Sequence, residues 1–122
     1  MTTIKDFEEL KAWKKARELA GNVYELTRRE RFSRDFGLRD QIQRAASSVM
    51  HNIAEGFESG SDPEFVRFLK MARRSAAEVQ SQLYLALDIG YVTEDERQKA
   101  HLLATEAKQL INGMMTYLRK SD

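Results

Sequence analysis

The residues best suited to chemistry lie in RFLKMARR, where Arg67, Lys70, Arg73 and Arg74 follow one another with no acid between them. On a helix, at about 100° per residue, Arg67, Lys70 and Arg74 project within about 60° of one another. Cations in such a ridge neutralise phosphates and release counterions, so the four residues are a candidate site for RNA or DNA. The alternative is a solvated helix face balanced by Glu64, Glu78 and acids of neighbouring helices. The stretch RRERFSRDFG adds Arg28, Arg29, Arg31 and Arg34, diluted by Glu30 and Asp35, and is a weaker candidate contact loop.

Enzymatic chemistry finds few residues. Carboxylate-bridged metals in helical bundles need a Glu-x-x-His from each of two helices, and neither His51 nor His101 follows a glutamate at that spacing. His51 and Glu55 supply a single i, i+4 pair. No Walker A loop, dinucleotide-binding glycine pattern or nucleophile elbow is present. The expectation is a protein that is not an enzyme and takes no metal or cofactor, with a site shared between subunits as the remaining route to catalysis.

These residues need elements to hold them, and 122 residues suffice for one domain, residues 1–122, with a substantial core. With 42% apolar residues, 32% charged residues and a net charge of +1, neither a disordered nor a membrane protein is expected, and global charge names no partner. No cysteine is available for disulfides or thiolate zinc sites, which suits a reducing cytoplasm. The N-terminal MTTIKDFEEL carries charges where a signal peptide would have its apolar core. No apolar run is long enough to span a membrane.

Apolar residues recur at steps of three and four, which predicts four helices and no strand. Leu10, Trp13, Ala16, Leu19, Ala20, Val23 and Leu26 line the first; Leu38, Ile42, Ala45, Val49, Ile53 and Phe57 line the second. Phe65, Phe68, Leu69, Ala72, Ala76, Val79, Leu83 and Leu87 form a stripe about 100° wide on the third, the width of a core-facing surface. Ala100, Leu103, Ala107, Leu110, Met114 and Leu118 mark the fourth. SDPE at Ser61–Glu64 and TEDE at Thr93–Glu96 are capping boxes, and Gly56, Gly60 and Gly90 lie where positive φ would close a last turn. The second and third connections are short, which predicts an all-α, up-down antiparallel four-helix bundle.

The second helix has more apolar surface than one packing face requires. Ala46, Met50, Ala54 and Phe57 extend its apolar arc to roughly twice the expected width, and on the third helix Tyr84, Leu85 and Ile89 project away from the core stripe. These flanks predict self-association, with Ala46, Met50, Ala54, Tyr84, Leu85 and Ile89 at the interface, since a symmetric oligomer is the ordinary way to cover such a face. Single exposed apolar residues at a bundle edge are the simpler alternative. Arg44, Asn52, Glu55 and Glu78 read as structural polar residues, with Asn52 bonding across helices and Glu78 pairing with Arg44 or Arg74.

The segment QIQRAASSVMHNIAEGFESGSDPEFVRFLKMARRSAAEVQSQL, with NIAEG at Asn52–Gly56 and the pair Ser75 and Glu78, resembles a known signature. It is that of the four-helix-bundle proteins first recognised as reading frames in intervening sequences of bacterial 23S ribosomal RNA genes. FEELKAWKKARELAGNVYELT and IGYVTEDE resemble the family's first helix and third turn, so the resemblance covers nearly the whole chain. Ser33 and Met50 stand where prolines are common, and Arg74 where glycine is frequent. Without a proline at 50 the second helix should be straighter. The resemblance implies a ring of bundles, a homopentamer, with no established enzymatic activity. It also implies a related branch, the accessory proteins of diversity-generating retroelements, which bind a reverse transcriptase and RNA. Two functions follow as expectations: a cytoplasmic nucleic-acid-binding scaffold, or an adaptor for a protein such as a reverse transcriptase.

Overall fold

A computed structural model describes residues 4–121, and all regular structure among them is helical. A 3₁₀ turn, Phe7–Glu9, leads into α1 (Lys11–Thr27); α2 (Glu30–Arg34), α3 (Phe36–Phe57), α4 (Asp62–Ile89) and α5 (Glu94–Ser121) follow. The four expected helices are α1, α3, α4 and α5. Residues 1–3, the start of the stretch weighed against a signal peptide, lie outside the described residues. No helix among the described residues is long and apolar enough to cross a membrane.

Helix α2 is an addition, because the segment expected as an open connection is one short helix that buries Phe32 completely. The Phe32 ring stacks on Tyr91 with centroids 5.1 Å apart. Five residues with one buried aromatic are too few to show a helical period.

Each long helix packs against two others, α3 on α1 and α4, and α5 on α1 and α4, around one apolar cluster. This double packing corrects the reading of the α3 flank. Ala46 is completely buried within the chain and cannot belong to an outward interface; Met50 and Phe57 pack against the core, and Ala54 is half-buried. A helix wedged between two neighbours needs a wider apolar arc than a helix lying on one surface.

The stripe of α5 also differs from expectation. Ile111 and Met115 are fully buried, together with Ala104, while Leu110 and Met114 are only partly so. Adjacent apolar pairs, Leu110–Ile111 and Met114–Met115, fit a helical period in two ways, and packing on α4 and α1 selects the second member of each.

Local chemistry sets the ends. Thr93 and Glu96 form the full capping box, the Thr93 N–H donating to Glu96 Oε1 at 2.8 Å and the Glu96 N–H to Thr93 Oγ1 at 3.2 Å. At Ser61 only half forms: its Oγ accepts from the Glu64 N–H at 3.3 Å, while the Glu64 carboxylate turns to Arg67. Gly90 closes α4 at φ 90°, where a side chain would be strained. Gly56 corrects its expected role: it is a buried residue within α3, and a Cβ there would lie 2.8 Å from both Phe65 Cδ1 and Phe68 Cβ. The missing side chain lets α3 and α4 approach.

Candidate nucleic-acid interface

The α4–α5 seam brings residues of the expected basic ridge together with a cation from α5. Lys70, Arg73, Arg74 and Ala77 of α4 and Lys108 and Asn112 of α5 line an open depression of about 440 Å³. No acid lines it, and among the described residues none of these four cations lies within ion-pair distance of a carboxylate. Arg73 Nη1 donates to Asn112 Oδ1 at 2.8 Å, and Lys108 Nζ donates to Gln80 Oε1 at 2.7 Å.

Arg67 stands apart from this group. Its guanidinium is paired with Glu64 and lies 4.6 Å from the centroid of the Phe68 ring. The hydrogen bond from Arg67 holds the Glu64 carboxyl below its usual range, so the pair is charged on both sides and largely cancels as a source of field. Lys108 was missed by the sequence reading because it lies 34 positions after Arg74 (108 − 74) and only packing brings them together.

Three of the four loop arginines are also committed. Arg29 pairs with Glu96, and Arg34 with Glu30. Arg31 sits 5.5 Å from the centroid of Tyr91. Arg28 is exposed.

The four expected structural polar residues behave differently from expectation. Asn52 Nδ2 donates to Ser48 O and Ser48 Oγ, both at 2.9 Å and both within its own helix rather than across the seam. Arg44, Glu55 and Glu78 are exposed, and Glu78 accepts from Gln82 instead of pairing with Arg44 or Arg74. The α3–α4 link falls to Ser75, whose hydroxyl donates to Ser48 Oγ at 3.0 Å. Where the helices lie close, two short hydroxyl side chains fit and longer charged ones stay at the margins.

Tyr84 and Leu85 are each 49% exposed and Ile89 39%, and Leu102 of α5 adds a fourth outward apolar side chain at 57%. The Tyr84 ring packs at its inner side against His101 and Arg97. His51 is exposed, and among the described residues no three His, Asp or Glu side chains form a group able to hold a metal ion.

The family model of the 23S rRNA-intervening sequence proteins matches residues 8–113. The chain belongs to this family. As a 23S rRNA-intervening sequence protein it also shares its fold with a solved structure, the crystal structure of a protein of unknown function from the S23 ribosomal protein family of Bacteroides thetaiotaomicron. The two superpose with a TM-score of 0.78 at 24% identity, covering 85% of this chain and 97% of that one. No curated protein matches the sequence.

Proposed function

We propose that this 23S rRNA-intervening sequence protein is a non-enzymatic, cytoplasmic scaffold that binds nucleic acid through the phosphates, on the cations of the α4–α5 seam. The observation that carries this reading is the convergence of Lys70, Arg73, Arg74 and Lys108 with no carboxylate among them. Uncompensated cations at a surface attract polyanions, and their attraction weakens as salt rises. In this reading the four long helices form one domain and run alternately up and down. Contacts in opposite order along the α3–α4, α4–α5 and α1–α5 seams support that arrangement.

The scaffold is a ring of copies, a pentamer, joined through Tyr84, Leu85 and Ile89 together with Leu102. Four outward apolar side chains on adjacent helices support this, and a ring repeats the basic seam around its circumference. The same apolar patch favours the second reading, an adaptor that docks another protein, such as the reverse transcriptase of a diversity-generating retroelement.

Fluorescence anisotropy with a structured RNA tests the first reading. Wild type should bind with an affinity that falls steeply with salt. Changing Lys70, Arg74 and Lys108 together to alanine should weaken binding and make the log–log salt slope shallower by roughly 2 to 3, about one phosphate per cation. A well-folded wild type that fails to bind at low salt rejects the nucleic-acid reading and favours the adaptor.

A further inference from the structure

We infer that the α4–α5 depression is a discrete pocket for one phosphoryl group, organised by the buried Gln80, rather than a stretch of continuous cationic track. This rests on the nucleic-acid reading and narrows it.

Gln80 is 8% exposed, and a buried amide is tolerated only when its polar atoms are bonded. Its Nε2 donates to His101 O at 3.2 Å and to Thr105 Oγ1 at 3.0 Å, leaving Oε1 to accept from Lys108 Nζ at 2.7 Å. A backbone carbonyl only accepts and an ammonium only donates, so these two partners fix which way the amide faces.

The consequence is a positioned cation that keeps its charge. Elsewhere six oriented cations, Lys15, Arg29, Arg34, Arg39, Arg67 and Arg97, each pair with a carboxylate, while Arg31 donates to the Gly90 carbonyl and Arg17 lies over Trp13. At this depression the two anchored cations face amide oxygens instead, Lys108 that of Gln80 and Arg73 that of Asn112. Neutral acceptors hold the side chains without cancelling them. Less side-chain freedom is then lost when a ligand arrives, which favours one defined anionic group over diffuse attraction.

Ala77, an exposed alanine, lines the depression together with the anchored cations and with Lys70 and Arg74. A phosphoryl group has the charge and the acceptor oxygens for this arrangement. It can come from an internal phosphodiester or from a terminal phosphomonoester.

Two probes and two variants test the pocket, with circular dichroism confirming that each variant folds. Ala77→Leu places a larger side chain in the lining without changing charge, and Gln80→Met releases Lys108 without changing charge. The probes are a labelled single-stranded RNA, with and without a 5′-phosphate, and inorganic phosphate followed by ³¹P line broadening. Ala77→Leu should weaken RNA binding about fivefold or more, reduce the salt slope by about 0.7, the contribution of one single-strand phosphate, and abolish the phosphate broadening. Gln80→Met should weaken RNA binding about threefold. Equal binding of both RNAs by wild type assigns the pocket to a phosphodiester, and preference for the 5′-phosphate, lost in Ala77→Leu, to a terminal phosphate. If Ala77→Leu binds RNA as wild type does while the triple alanine variant is weakened, the pocket is overturned and the nucleic-acid reading stands. Phosphate broadening that depends on Ala77 without RNA binding leaves the pocket and rejects the reading. Absence of both overturns both.

Discussion

Lys108 on α5 donates its ammonium hydrogen to the side-chain oxygen of Gln80 on α4 at 2.7 Å, so the most buried amide of that seam holds a cation at the surface. The bond ties the packing of two helices to the position of a charge. Stability and ligand affinity should therefore respond together at Gln80 and separately at Ala77.

Gln80→Ala removes the three hydrogen bonds and leaves a void between α4 and α5. Urea unfolding should show a loss of about 2 kcal/mol, the range for deleting a buried, bonded polar side chain. Ala77→Leu, at an exposed position in the same helix, should change stability by less than about 0.5 kcal/mol.

Gly56 and Gly113 give opposite outcomes for one substitution. At Gly56 an added methyl meets Phe65 and Phe68 at 2.8 Å, whereas at Gly113, exposed in α5, nothing lies within 4 Å. Gly113→Ala should stabilise by about 0.5–1 kcal/mol through helix propensity. Gly56→Ala has the same propensity gain but forces α3 and α4 apart, and overpacking should leave it destabilised by about 1–2 kcal/mol, read from thermal or urea unfolding.

Tyr91 and Asp35 lock the α2–α3 corner to the α4–α5 turn, the Tyr91 hydroxyl donating to Asp35 Oδ2 at 2.8 Å. That bond raises the Tyr91 pKa above its usual 10.0. Asp35 Oδ1 also accepts the Leu38 N–H as the cap of α3. Tyr91→Phe should cost about 1 kcal/mol, and Asp35→Ala more, about 2 kcal/mol, because both the cap and the cross-link go.

His101 should give the fold a pH dependence. Burial first, then Arg97 and Lys108, lower its pKa below the usual 6.5, and its buried Nδ1 has no hydrogen-bond partner. The unfolded chain therefore takes up a proton near pH 6.5 that the folded chain resists. Stability should be full above that pH and fall as pH drops from it toward the lowered folded value. Thermal unfolding between pH 8 and about 5 should show the decline, and His101→Gln should flatten it.

The oligomer reading predicts a sedimentation change. Wild type should sediment at micromolar concentration as a closed oligomer, and Leu85→Glu with Ile89→Glu should shift it to monomer with unchanged helical content. A monomeric wild type would overturn the ring.

Much of the helical organisation was legible because its causes are local. The three- and four-residue spacing of Leu10 to Leu26 or Phe65 to Leu87, and caps such as Thr93 with Glu96, act within a few residues of themselves. Residues with two equivalent choices, or with partners far along the chain, were not. Ile111 over Leu110, the burial of Ala46, and the close approach at Gly56 depend on which neighbour each helix meets. The same is true of the candidate site. Lys70, Arg73 and Arg74 were visible as cations, but a sequence cannot tell a paired charge from a free one. The pairing of Arg67 with Glu64 is an i, i+3 contact within α4, whereas tertiary packing set Lys108 beside Gln80 and left the cluster at that seam without an acid. Helix formation is decided over one or two turns, whereas the field at a surface is decided by whichever charges the folded chain brings within a few ångströms.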